Sequence, residues 1–332
     1  MYKKKVFNPL FFMIFYLFVF ALPILCQDHG STGFFRHIYL RQGYTKRVSS
    51  SLCLFNGVLY ASEDNFLFSY DGKYLKDGSS KLWPLKTGRI NALDSGRYLW
   101  IAHEKGLISF NGKKGTEYVS SPGFNGKRAI LVSAARGATA VVTDRAVLKG
   151  YYFNRQYVFE DLNFPKKFFN PSSFLTLYSG NSGIWIGTNA GLYFLENTKN
   201  SSWQRFTTNQ GLPASKIYAV TEDSSNRVWA CGYDIFGGGT GLYHKGIWTR
   251  PLKHFENRPQ RPVAAAEYNN ILWICSEKGI SRFDGYNISN YGPDEGLEGK
   301  NMSALTAGPD FTAARFSDKI VSLINILDFN RN

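Results

Sequence analysis

Cysteine is scarce in this chain: four residues among 332, one of which, Cys26, ends an N-terminal hydrophobic run. The other three, Cys53, Cys231 and Cys275, are an odd number, which excludes a complete disulfide framework. Their spacing fits no zinc pattern, so no metal is expected and the thiols read as small buried hydrophobes. Helical periodicity is missing as well. After residue 30 no long stretch carries a capped apolar stripe, which argues against a helical architecture. A second membrane-length run is also lacking. Catalytic patterns are equally sparse: His29, His37, His103, His244 and His254 are scattered, with no metal spacing and no nucleophile beside them. His103 and Glu104 share a turn and form the best acid–base pairing, which a solvated turn also explains. Gly237-Gly238-Gly239 lacks the Lys-Ser and helix of a phosphate loop. The chain therefore reads as non-enzymatic and without a cofactor.

What is abundant is aromatic: 27 Phe, 20 Tyr and 7 Trp accompany 32 Gly. Aromatic side chains pack well on pleated strands and glycine serves tight turns, so the mixture points to an all-β chain. The start differs. Lys3, Lys4 and Lys5 precede an apolar run from Phe11 to Leu25, the order of a secretory signal. Ile24-Leu25-Cys26-Gln27 lacks the small residues of a cleavage site, which keeps an uncleaved membrane anchor in play. Either way residues 28–332 are expected outside the cytoplasm, as one domain, periplasmic or secreted. Removing residues 1–26 takes three lysines and no acid, lowering the net charge from +14 to +11. Such a surface favours anionic partners without selecting one.

Internal repetition organises the rest. Leu99-Trp100-Ile101-Ala102, Ile184-Trp185-Ile186-Gly187, Val228-Trp229-Ala230-Cys231 and Leu272-Trp273-Ile274-Cys275 align, and weaker copies place Tyr60, Val141 and Phe311 at the Trp position. These seven anchors are 40, 41, 44, 44, 44 and 38 residues apart. A period of about 40–45 residues with short strands predicts a seven-bladed β-propeller. In the fifth repeat the expected strands are 217–222, 227–231, 241–244 and 247–251. The last repeat supplies three strands, 302–306, 311–315 and 320–327. Pairing 34–41 with them is expected to close the ring and remove exposed edges. The tryptophans are expected to pack against neighbouring blades.

At these residues the sequence resembles the two-component regulator propeller family. Gly211-Leu212-Pro213 leads into Ile217–Glu222, Asp223-Ser224 and Trp229. Trp185-Ile186-Gly187-Thr188 is followed by Gly191-Leu192-Tyr193, and Arg282-Phe283-Asp284-Gly285 is similar to the family's blade ending. The resemblance covers most of residues 34–327. It implies a sensing propeller of a bacterial hybrid two-component system, many of which respond to polysaccharide fragments. The 332 residues hold no second propeller, kinase or DNA-binding segment, so a stand-alone binding protein or a truncated sensor is expected. Asp223 and Asp284 match turn positions of the repeat and read as structural.

Propeller strands alternate in direction, so the fourth-to-first and second-to-third loops share one face around the channel mouth. Basic residues recur just before the inner strands: Arg47, Arg89, Arg128, Lys216, Arg261 and Lys300, with Ser172 in the fourth blade. Loop starts suit solvated charges, but a ring of six would also form a positive funnel for carboxylate or sulfate. On the same face the segment 232–240 reads as the longest second-to-third loop, a flexible surface turn. Its Tyr233 and Phe236 are placed to stack on a ligand. The expected function is binding of a carbohydrate or another small anion in a sensor role. The alternatives are a protein-interaction scaffold and, behind it, a propeller lyase or hydrolase. No nucleic-acid partner is expected, and membrane contact only through the N-terminal segment.

Overall fold

Short apolar runs such as Leu99-Trp100-Ile101-Ala102 are buried at every residue, as required when both faces of a sheet are covered. The computed structural model describes residues 35–40, 51–77, 88–126, 128–134, 139–298, 301–316 and 320–325; residues 1–27, expected to be a signal or anchor, lie outside them. Among the described residues the strands form seven four-stranded antiparallel sheets, the blades of a β-propeller. Six blades run in chain order from inner to outer strand. The seventh combines Met302–Ala307, Phe311–Phe316 and Ile320–Asn325 with Phe35–Tyr39. In that sheet Phe35 lies opposite Ile324 and Tyr39 opposite Ile320.

The core is not central but divided among the clefts between blades. Trp100 shares a cluster with Val132, Tyr157 and Phe159 of the third blade. Trp185 packs with Ile217 and Trp248 of the fifth, Trp229 with Leu272 and Phe283 of the sixth, and Trp273 with Phe35 and Phe316 of the seventh. The four repeat tryptophans therefore join each blade to the next. Two anchors read from the sequence are out of register. Ala140, not Val141, faces the fourth blade, where Phe164 and Trp203 supply the aromatic bulk instead. Ala313 holds the position opposite Thr306 and is buried against the first blade, beside Phe68 and Tyr70, while Phe311 packs partly buried on the same face. A small residue at the tryptophan position leaves no sequence mark, so alignment slid to the nearest large one.

Buried polar groups fasten blades on the face opposite the mouth. Glu222, buried, accepts the Asn181 and Ser182 N–H groups of the fourth blade at 2.8 and 3.3 Å. Asp94 accepts the Ala134 N–H of the third blade at 2.8 Å. Burial raises the Asp94 carboxyl above its ordinary value although these hydrogen bonds oppose the shift. Asp223 accepts N–H groups of Ser225 and Arg227, and the Trp229 indole N–H at 3.1 Å. Asp284 likewise accepts from Tyr286 and Asn287 within its turn. Gly187 meets the adjacent blade directly: a Cβ there would lie 2.6 Å from the Ile217 carbonyl oxygen. Among the described residues no helix is long and apolar enough to cross a membrane.

Candidate functional site

Five inner strands carry a register shift at their first or second residue, at Ile90, Ala129, Phe174, Ile217 and Met302. Such bulges sit at the rim of the mouth and turn the preceding residue away from the ladder. Arg89, Arg128 and Lys216 each directly precede one of these strands, and Arg261 stands three residues before Ala264. Arg47 and Lys300 lie outside the described residues. Ser172 sits in a short 3-10 turn, Pro171–Ser173.

Every described basic residue of this set has a carboxylate beside it. Glu104 binds Arg89 at 2.9 Å and Arg128 at 3.6 Å. Glu277 lies 3.5 Å from Arg261. The Asp234 carboxyl is lowered mainly by the Ser215 N–H at 2.8 Å, with the Phe236 N–H and the Lys216 charge adding to the effect. The rim therefore alternates in sign, and its field is weaker than that of an all-positive funnel. The reason is topological. Inner and second strands are antiparallel neighbours, so the turn after the second strand returns beside the start of the first. Each acid follows its base by 15–18 residues, as Glu104 follows Arg89, Asp234 follows Lys216 and Glu277 follows Arg261. That spacing was the signal available in the sequence.

A cleft of about 550 Å³ opens at the sixth blade, lined by Tyr233, Arg261, Glu277, Lys278, Leu297 and Phe316 among others. Its volume lies within the range of small-ligand pockets, about 300–1,000 Å³. Tyr218 stacks on Tyr233 with centroids 4.9 Å apart, and the Arg261 guanidinium lies 4.8 Å from the Tyr233 centroid. This layered arrangement fixes a cation above an aromatic face. Arg261 adopts a left-handed backbone, φ 50°, as does Asn301 on the far wall, φ 55°. A non-glycine residue in that region costs roughly 1–2 kcal/mol, and such residues cluster at ligand sites. Tyr218 and Glu277 complete the site but were not singled out by sequence reasoning.

The segment 232–240 is not a loop. The second strand of the fifth blade extends to Asp234 and the third begins at Gly237, paired throughout, with Ile235 and Phe236 alone at the tip. Gly238 serves close packing, whereas Gly237 and Gly239 take positive φ, 124° and 142°. A Cβ on Gly238 would lie 2.4 Å from the Tyr233 Cβ. Tyr233 lines the cleft, whereas Phe236 projects into solvent, 91% exposed, beside Ile235 at 92%. The two aromatic residues are thus separated, because neighbours along a hairpin tip do not share its faces.

A second concavity of about 490 Å³ follows the channel axis, with Asp94, Glu222 and Glu267 among its lining residues. His103 is fully buried and its Nδ1 accepts the Lys105 N–H at 3.2 Å, while Glu104 is engaged by two arginines. The acid–base pair is therefore not presented together at the surface. Among the described residues no group of three or more His, Cys, Asp or Glu could hold a metal ion. Cys53, Cys231 and Cys275 are buried and unpaired, and burial pushes the Cys231 thiol up to about 12.

No protein-family model and no curated protein matches the chain. Solved structures do match it in fold. The extracellular domain of BT4673 from B. thetaiotaomicron, named both as a one component and as a hybrid two component system, superposes with a TM-score of 0.63 at 16% identity over 89% of this chain. The chain spans only 40% of the length of that extracellular domain. PorZ, a surface component of the type-IX secretion system of Porphyromonas gingivalis, gives 0.62 at 14% identity, covering 82% of this chain and 46% of PorZ. Virginiamycin B lyase from Staphylococcus aureus gives 0.61 at 13%, covering 88% of this chain and 99% of the lyase. At these identities the likeness is one of fold, which sensing, secretion and lyase proteins share.

Proposed function

We propose that this chain is the ligand-binding propeller of an extracytoplasmic sensor, taking an anionic saccharide in the cleft beside Tyr233 and Arg261. The observation that carries this reading is Arg261, held in a left-handed backbone over an aromatic face at the edge of a cleft of about 550 Å³. A guanidinium so fixed offers its N–H edge to a carboxylate or sulfate, and Leu297 and Phe316 of the lining offer an apolar surface to a sugar ring. Glu277, exposed and 3.5 Å away, is an acceptor for hydroxyl groups and is displaced from Arg261 by a competing anion. The Lys3–Lys5 and Phe11–Leu25 start supports export, and the fold shared with an extracellular sensor domain agrees with it.

The test is a titration of the chain with sulfated and uronate oligosaccharides at two salt concentrations. Binding that weakens with salt is expected. Arg261→Ala should reduce affinity about tenfold or more, and Arg261→Lys should recover part of it. Unchanged affinity in Arg261→Ala refutes the assignment. One observation favours a second reading, a protein-interaction scaffold: the paired tip bearing Ile235 and Phe236, both more than nine-tenths exposed. Ile235→Ser with Phe236→Ser should then abolish capture of a partner while leaving saccharide binding intact. A lyase or hydrolase reading requires turnover, and none should appear with the saccharides that bind.

A further inference from the structure

On the face opposite the mouth, a cleft of about 320 Å³ separates the outer strands of the second and third blades. Its volume falls at the small end of ligand pockets, about 300–1,000 Å³. Four tyrosines converge there. Tyr98 meets Tyr157 edge-on at 6.0 Å, Tyr118 meets Tyr157 at 5.9 Å, and Tyr152 meets Tyr157 at 5.4 Å. Trp100 backs the set, 4.9 Å from Tyr157 and 5.5 Å from Tyr118. Tyr118 and Tyr157 are buried, whereas Tyr152 is 49% exposed. One aromatic ring is thus offered in part to solvent on a rigid aromatic base, with the Arg97 guanidinium over it.

Lys114 and Arg155 are among the lining residues, and a third cation stands beside two of the tyrosines. The Arg97 guanidinium lies 5.8 Å from the Tyr98 centroid and 5.4 Å from that of Tyr152. Among the described residues no carboxylate pairs with it, in contrast to the arginines of the mouth. The walls are fixed by turns. Asn111 takes the Lys113 and Lys114 N–H groups on its side-chain oxygen, at 2.9 and 2.8 Å, which leaves its N–H2 as a donor. Asn154 and Arg155, both with positive φ, form the tight turn between Tyr152 and Gln156. Gln156 and Glu117 add an amide and an acceptor. An aromatic platform ringed by amide, carboxylate and hydroxyl groups suits the apolar face and vicinal hydroxyls of a pyranose. An unpaired guanidinium at its edge suits a carboxylate on that ring.

We propose that this tyrosine cleft is a second saccharide site, binding a uronate unit stacked on Tyr152 with its carboxylate on Arg97. The assignment does not rest on the mouth, which lies on the other face. Its probe is digalacturonate, titrated into the whole chain by calorimetry and followed by the fluorescence of Trp100 and its neighbours. Tyr152→Ala should weaken binding about tenfold, the loss of one aromatic contact. Arg97→Gln should weaken digalacturonate about tenfold while leaving a neutral galactose disaccharide unaffected. Arg97 is exposed and Tyr152 half-exposed, so both variants should stay folded, with Arg97→Gln melting within about 2 °C of the parent. Arg261→Ala, at the mouth, leaves this affinity unchanged whether or not the mouth binds anything. With Arg261→Ala as the parent, so that the mouth does not contribute, the proposal is overturned if the folded chain does not bind digalacturonate, or if binding survives both cleft substitutions. It is also overturned if only Arg261→Ala abolishes binding, or if inorganic phosphate or a nucleotide binds this cleft more tightly.

Discussion

Trp185→Ala tests whether inter-blade aromatic packing holds the ring together. Trp185 is fully buried. It stacks on Phe194 with centroids 3.9 Å apart and planes 17° off parallel, and it meets Tyr243 and Trp248 edge-on at 5.2 and 6.2 Å. Its indole N–H donates to the Ser182 Oγ at 3.0 Å. Truncating a buried Trp to Ala costs roughly 3–5 kcal/mol through lost transfer energy and the remaining cavity. Four ring neighbours, Phe206 at 6.1 Å being the fourth, place this site at the upper end of that range, because each aromatic pair adds about 0.5–1.5 kcal/mol beyond its area. At about 2–3 °C per kcal/mol for a domain of this size, the melting temperature should fall by about 8–15 °C. Trp185→Phe keeps the stack on Phe194 and loses the hydrogen bond and part of the volume, about 1–2 kcal/mol. Differential scanning calorimetry with urea titration of both variants measures the effect. A fall of less than about 3 °C in the Ala variant, with an unchanged urea slope, would refute the reasoning.

Other outcomes follow from the same geometry. Gly187→Ala places a Cβ against the Ile217 carbonyl oxygen and the Thr176 methyl, and should cost about 1–3 kcal/mol by overpacking, read as a lowered urea midpoint. Cys53, Cys231 and Cys275 should resist a disulfide reagent in the native state and react fully in guanidinium, since burial raises all three thiols. Asp234 and Asp284 are held below the ordinary 3.8, by the Ser215 and Asn287 N–H groups first. Their contribution is therefore complete above that value and lost as pH falls through their lower folded values, so Asp234→Asn with Asp284→Asn should flatten the acid limb of the stability curve. Asp94, raised by burial, acts oppositely: its contribution is complete below 3.8 and lost as pH rises through its folded value, which an Asp94→Asn urea series against pH would reveal.

The blade period was legible because both faces of the second strands are buried, which in four of them gives an apolar run around Trp100, Trp185, Trp229 or Trp273. That rule also explains the errors. Where the position holds Ala140 or Ala313, the bulk comes from Phe164 and Trp203 or from Phe68 and Tyr70, residues distant in sequence. No local pattern reports such a substitution. The fifth-blade hairpin failed for a different reason: three consecutive glycines signal a loop by propensity, yet Gly238 is in the ladder because only a residue without a Cβ fits against Tyr233.

The mouth shows how far charge can be read without register. Basic residues before inner strands stand out in the sequence, but the carboxylates opposing them lie across a strand pair, and only the pairing reveals that Glu104 serves two arginines at once. These exposed pairs contribute about 0–1 kcal/mol each, so they hold the fold weakly, and the proposed ligand would displace them at little cost. What distinguishes Arg261 within the rim is therefore not its charge, which Arg89 and Arg128 share, but its strained backbone and its place over Tyr233. By the same reasoning Arg97, stacked between Tyr98 and Tyr152 and opposed by no carboxylate among the described residues, keeps more of its charge for a ligand than any described arginine paired at the mouth. A ring of bases locates the face of a propeller; the aromatic support beneath a single guanidinium selects the position on it.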